Sequence, residues 1–224
     1  MDLRFLGQSC FTLSDGDTTV LIDPFLTGNP KAAASAEEMN PTNLLLTHGH
    51  MDHFGDTVEI AKHTGAPVQA ITEIAQELSQ EDLEVKDTNL GGTAEYEWGS
   101  VKLVPALHTS TTPKGTVSAP AGLVIDFKGT IVYHLGDTSL FSDLQLVGKR
   151  RPIDVALVCI GGHYTMDRHD AVDAAQLIGA QTVIPCHYNT FPPIEADAQA
   201  FKADVESETS SQVVVLEPGE THSA

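Results

Sequence analysis

Cationic side chains are scarce, with 12 Lys and Arg against 31 Asp and Glu and a formal net charge of −19. Such a surface repels phosphate backbones and anionic headgroups at long range, which argues against nucleic-acid or membrane-surface partners. Cysteine is scarcer still. Cys10, Cys159 and Cys186 are widely spaced with no C-x-x-C pair, so neither a disulfide framework nor a thiolate zinc cluster is indicated, and buried packing is their simplest reading. No run of about eighteen apolar residues occurs to span a bilayer. The opening Met1-Asp2-Leu3-Arg4 lacks the basic stretch and apolar run of a secretory leader, so a cytoplasmic location is expected. A G-x-S-x-G elbow is also missing, which removes the usual serine nucleophile.

What is present is enough apolar material for a core. Hydrophobic residues make up 41% and charged ones 19% of 224, without a low-complexity tract, which excludes disorder, collagen and coiled coil. A chain of this mass can bury about 70% of its extended surface. No Pro/Gly/Ser linker divides it, so a single domain over residues 1–224 is expected.

Leu3–Leu6, Cys10–Leu13 and Thr18–Ile22 are short β-rich runs broken by Gly7-Gln8 and Asp15-Gly16-Asp17, the pattern of an antiparallel meander. Ser35–Glu38 is a capping-box pattern opening a short helix. A buried strand at Leu44–Leu46, a loop over Thr47–Asp52 and a helix from His53 to Lys62 ended by Gly65 follow. A Pro67–Ile71 strand and a Glu73–Leu78 helix complete this half. Residues 83–107 return to strand character, and Leu123–Phe127 and Ile131–Leu135 flank the Lys128-Gly129 turn. Val155–Ile160 is apolar on both faces, as a sandwiched strand requires, and Asp167 caps a helix over Arg168–Ile178. Strand Thr182–Pro185, helix Ile194–Ser207 and strand Gln212–Leu216 close the chain. Two halves built alike predict an α/β architecture with two sheets inside and helices outside.

The chemically informative stretch is Thr47-His48-Gly49-His50-Met51-Asp52-His53. Imidazole nitrogen and carboxylate oxygen are ligands that zinc, manganese and iron accept. Residues two apart in an extended segment point the same way, so His48 and His50 can grip one ion, while the turn into the following helix redirects Asp52 and His53 toward a second. Crowding three imidazoles with no ion between them would depress their pKa values and cost stability. Four further candidates, His108, Asp137, His163 and His187, end or follow apolar strands, where open sheets place their ligands. Cys186 alternates in direction with His187 and is expected to face the core. His134 has the wrong parity to share a face with Asp137, and His63, His169 and His222 read as helix-end or surface residues.

These segments, together with Leu6–Phe11, Leu21–Pro30, Tyr133–Phe141, Ile160–Asp167 and Ile184–Pro192, resemble the metallo-β-lactamase-fold hydrolases, and within them the branch containing ascorbate-phosphate lactonase. The resemblance implies a four-layer αββα sandwich with a dinuclear site at the sheet edge. His48, His50 and His108 would hold one metal, Asp52, His53 and His187 the other, and Asp137 would bridge them. Asp23 would orient a ligand histidine. Gln8 stands where the family commonly has His. Two divalent ions, from among Zn, Mn, Ni and Fe, are therefore expected. Such a pair lowers the pKa of a bridging water from near 16 toward about 7 and supplies hydroxide without a protein nucleophile. The expected reaction is cleavage of a small ester, lactone or phosphoester, with Asp52 and His163 as catalytic residues and His163 stabilising the oxyanion or protonating the leaving group.

The rival readings are a metal-dependent binding or sensor module without turnover, and a phosphodiesterase or nuclease of the same fold. The acidic surface disfavours the nuclease. The expected partner is a small-molecule substrate, and the oligomeric state stays open, homo-oligomers included.

Overall fold

Short runs of β-branched and apolar residues between tight turns favour strands over helices, and the computed structural model, which describes all 224 residues, opens on three of them. β1 (Asp2–Gly7), β2 (Cys10–Asp15) and β3 (Thr18–Ile22) form the antiparallel meander, and β4 (Asn43–Leu45), β5 (Val68–Ile71) and β6 (Val85–Thr88) extend it in parallel. The second sheet repeats the plan. β7 (Thr93–Tyr96), β8 (Gly99–Pro105), β9 (Ala121–Phe127) and β10 (Thr130–His134) are antiparallel neighbours, followed in parallel by β11 (Val155–Cys159), β12 (Thr182–Cys186) and β13 (Gln212–Val213). The last strand, β14 (Thr221–Ser223), returns to pair with β1, so each sheet has seven strands.

Helices α1 (Met51–Phe54), α2 (Thr57–Thr64) and α3 (Thr72–Ser79) belong to the first half, with α3 packed on β5 and β6. The second half adds α4 (Gln145–Arg150), α5 (Arg168–Ile178) and α6 (Ala198–Glu208), with α5 against α6 and β11. Strand alternation divides the core between these layers. Along β11, Val155 and Leu157 join a cluster of 37 buried residues drawn from both sheets and from α2 and α3, whereas Ala156 and Val158 join a cluster of 23 that includes buried residues of α5 and α6. A strand buried on both faces, each large side chain stabilising by about 1.5–3 kcal/mol, fixes the αββα sandwich expected from the sequence.

Three local expectations are corrected. The single helix from His53 to Lys62 is two helices, because Gly55 at φ 36° lies so close to Pro24 that a Cβ there would overlap the Pro24 carbonyl. The last helix begins at Ala198 rather than Ile194, since Asp197 accepts from the Gln199 and Ala200 amides and Pro192–Ile194 forms a separate turn. The Ser35–Glu38 segment makes only one 3₁₀ turn, Ala36–Glu38, in which Glu38 accepts from the Ser35 amide at 2.8 Å. No helix of the structure is long and apolar enough to cross a membrane.

The parallel strands β3, β4, β10, β11 and β12 all deliver their carboxyl ends to one edge of the sandwich. Asp23, Thr47–His53, Asp137, the Gly161-Gly162 turn and His187 leave from those ends. Open sheets bind ligands at such ends.

Candidate metal centre

Asp23 is the foundation. Fully buried one residue past β3, at φ 46°, its carboxylate accepts from the Thr47 amide at 2.9 Å, the Thr47 hydroxyl at 2.6 Å and His53 Nδ1 at 2.7 Å. These bonds decide two tautomers. With its Nδ1 proton given to Asp23, His53 turns a free Nε2 lone pair inward. The Thr47 hydroxyl, spending its proton on Asp23, must accept from His48 Nδ1 at 3.0 Å, so His48 Nε2 is likewise free. Gly49 is needed between the histidines, because a Cβ would stand 3.0 Å from the Thr112 backbone nitrogen.

The free atoms converge. His48 Nε2 lies 3.1 Å from His50 Nδ1, and these two with His108 form one group able to share an ion. Asp52, His53 and His187 form another, with His187 Nε2 at 3.3 Å and His53 Nε2 at 3.8 Å from Asp52 Oδ2. Asp137 lies between them, its carboxylate 3.2 Å from His53, 3.1 Å from His187, 3.6 Å from His108 and 4.0 Å from His48. All seven residues implied as ligands are therefore gathered at one place.

Gln8 stands at φ 57°, its amide donates to Asp52 Oδ2 at 2.9 Å, and its carbonyl accepts from the His187 amide at 2.7 Å. It ties both loops of the second trio, a role its sequence position did not announce. Of seven non-glycine residues with positive φ, Gln8, Asp23, His163, His187 and Asn189 lie on the loops at this edge. Strain of this kind costs of order 1–3 kcal/mol per residue and persists where surrounding contacts enforce it. Gly161 has the same service, since a Cβ on it would overlap the His187 carbonyl and stand 2.9 Å from Ile194 Cβ.

A divalent ion fits this donor set. His53 Nε2, Asp137 Oδ1 and both nitrogens of His187 are buried without a hydrogen-bond partner. Buried polar atoms are seldom left so, and each costs about 1–3 kcal/mol. Metal–nitrogen bonds of about 2.0–2.1 Å in a tetrahedron separate ligand atoms by roughly 3.3 Å, near the 3.1 Å between His48 and His50.

Charge points the same way. Burial, together with the His53 charge, holds His48 well below the usual imidazole range. Burial opposes charge on Asp137 too, but the His187 and His53 imidazoles prevail and hold it well below the usual carboxylate range. Against burial, the Asp137, Asp23 and Asp52 carboxylates raise His53 far above its ordinary value, and Asp137 with Asp52 raises His187 to about 9. In the bare site His53 and His187 thus carry the positive charge that a bound ion would replace, and His53 Nε2 offers its lone pair once that second proton is displaced. Cys159 and Cys186 take no part, because each is buried on one side of the second sheet, and burial pushes Cys159 up to about 12. His134, buried beneath the site, hydrogen-bonds the Ser9 carbonyl at 3.0 Å, and His63 reaches the Glu59 and Met39 carbonyls.

Above the ligands opens a cleft of about 610 Å³ lined by Gln8, Phe25, Met51, Thr109, Tyr164, Phe191, Pro193 and Ile194. His163 is not in its wall. It sits at φ 46°, exposed, with its ring edge-on to Tyr164 at 4.5 Å, so Tyr164 is the side chain this loop presents to the cleft. A larger hollow of about 1010 Å³, near Thr18, Asn43 and Trp98, lies at the opposite ends of β3 and β4 and has no metal-binding cluster.

Residues 2–187 match the beta-lactamase superfamily domain. A metal-dependent hydrolase of the UPF0173 group from Natranaerobius thermophilus is 42% identical over 221 residues, 99% of this chain and 98% of that one. One from Thermus thermophilus is 44% identical, covering 98% and 97%. Among solved structures, a metallo hydrolase of the archaeon Ignicoccus hospitalis superposes with a TM-score of 0.91 at 38% identity, covering 99% of this chain and 97% of that chain. The chain is a metal-dependent hydrolase of the beta-lactamase superfamily and belongs, with these relatives, to the UPF0173 family.

Proposed function

We propose that the chain binds two divalent ions and hydrolyses a small ester, lactone or phosphoester. The observation that carries this reading is the sharing of Asp137 between the two trios: seven ligand groups exceed what one tetrahedral ion takes and suit two ions with a common carboxylate. When bound, such a pair supplies Lewis acidity and a water that ionises near neutral pH.

The remaining work falls to the protein. Asp23 and Thr47 hold His48 and His53 in the tautomers that leave Nε2 free, so the ligands are preorganised. The His53 and His187 imidazoles outweigh burial and keep Asp52 ionised far below its usual range. So strong an ionisation suits Asp52 to a cation and makes it a weak base, so its role as acceptor for the proton released as water attacks rests on its position among the ligand groups, where Gln8 fixes the orientation of its Oδ2. The cleft's volume falls within the roughly 300–1,000 Å³ of small-molecule sites, which supports a small substrate.

The test is to strip the protein with chelator, restore Zn, Mn, Ni or Fe singly, and assay p-nitrophenyl esters, lactones and phosphoesters. Metal-dependent turnover of any of them is the expected result. Two bound ions without turnover on any would make it a binding module.

A further inference from the structure

Resting on the hydrolase reading, we propose that the cleft accepts an uncharged acyl ester or lactone whose apolar body lies against Phe25, Phe191 and Ile194, and rejects substrates bearing an additional negative charge. The reading thereby narrows to substrates whose body beyond the reacting centre is uncharged and apolar.

The wall is apolar and already in place. Phe25 and Phe191 meet with ring centroids 6.3 Å apart, Ile194 is buried behind them, and Pro193 flanks the shelf. Pro192 and Pro193 fix two successive φ angles, and the Asn189 side chain clamps the segment by bonding the Ala196 amide at 2.9 Å and carbonyl at 3.2 Å. The shelf therefore needs little ordering when a ligand arrives. The cleft is also lined by Met51 and Tyr164, large side chains left 57% and 59% exposed. An apolar body placed between these walls removes both from water.

Nothing in the cleft is built to hold an anion. No Lys or Arg lines it, although Arg and Lys are the side chains that grip phosphate and carboxylate. The polar residues of its wall beyond the ligand set are Gln8 and Thr109 with the Tyr164 hydroxyl, and the Gln8 amide is already given to Asp52. Two divalent ions would bring four positive charges against the carboxylates of Asp23, Asp52 and Asp137, leaving little surplus to attract a second anionic group. The chain as a whole, at −19, repels anions on approach. An ester or lactone carrying a phosphate or carboxylate away from its reacting centre would place that charge where no counter-charge waits.

The experiment compares two substrates with one reacting centre and different far ends: p-nitrophenyl butyrate and p-nitrophenyl hemisuccinate, whose extra carboxylate projects onto the shelf. Metal-loaded protein should show kcat/KM at least about tenfold higher for the butyrate than for the hemisuccinate, the latter losing mainly through KM. Phe191→Arg and Pro193→Lys, with metal content verified, should shrink that gap by raising the hemisuccinate and lowering the butyrate. Calorimetry with the unreactive anilides of butyrate and succinate reads binding apart from turnover, and the neutral anilide should bind more tightly. Equal or better use of the hemisuccinate, or tighter binding of the succinate anilide, would overturn the inference while leaving the hydrolase reading intact. Absence of turnover on both esters, with the neutral anilide still preferred, would count against the ester and lactone reading and uphold the cleft's selectivity.

Discussion

Asp23→Asn changes one atom in a residue that touches no metal in the proposed site. The carboxylate uses both oxygens, Oδ1 for the Thr47 amide and Oδ2 for the Thr47 hydroxyl and His53 Nδ1, all within 2.9 Å and fully buried. An asparagine has a single acceptor oxygen. Whichever way it is turned, its NH₂ group faces the Thr47 N–H or the pair of donors on the other side. Leaving a buried donor unpaired costs about 1–3 kcal/mol, and the metal-free protein should lose about that much stability. The effect on metal follows from the tautomers: His53 loses the acceptor that keeps its proton on Nδ1, and His48 is disturbed only through Thr47. Loss of such an outer partner typically weakens metal binding about 10–100-fold, or about 1.4–2.7 kcal/mol. The ion held by Asp52, His53 and His187 should therefore weaken by that factor, and the ion held by His48, His50 and His108 by less. Competition against a chromophoric chelator, run on folded Asp23→Asn and unsubstituted protein, measures both constants. Affinities unchanged within about twofold at both positions would refute the orienting role of Asp23.

Chelation should lower the thermal midpoint, because ions bind only the folded arrangement: about 4 kcal/mol per ion at a thousandfold excess over its Kd, on the order of 10 °C for a chain this size. An unchanged midpoint with metal removal verified would mean the site is built from other residues. In the metal-free protein, His53 and His187 are raised, so their stabilising contribution is complete below the ordinary histidine value near 6.5 and is lost as pH climbs through about 9 at His187. Thermal melts of chelated protein should therefore fall between about pH 6.5 and 9, a decline the metal-loaded protein lacks, and a flat profile would contradict the charge pattern. His163→Ala should retain metal and lose less than about tenfold in kcat, since the ring lies outside the cleft wall. A loss of about 10²–10⁴, as a proton donor would show, would mean the loop turns His163 inward during turnover.

The chain announces its fold where structure is local. Thr18–Ile22 and Val155–Cys159 carry strand chemistry within five residues each, and Asp167 caps α5 by accepting from the His169 and Asp170 amides as its sequence position suggested. The H-x-H-x-D-H run is equally local, and its spacing alone brings His48, His50, Asp52 and His53 together. What escaped depends on distant partners. The break at Gly55 comes from Pro24, thirty-one positions earlier, and β14 exists only because β1 offers an edge two hundred residues away. The Gln8 contact with Asp52 spans forty-four positions. At the 163–164 loop the residue type suggested histidine, but a left-handed backbone at His163 leaves Tyr164 lining the cleft.

The central claim is that this edge of the sandwich holds two ions that share Asp137 and are required for hydrolysis. Elemental analysis of protein purified without chelator, with ester turnover followed across a metal titration of the stripped form, tests it in one measurement. Two divalent ions per chain are expected, with turnover that rises to its maximum only as the second is bound. Saturation at one ion per fully folded chain, or full turnover by protein shown to contain no metal, would contradict it.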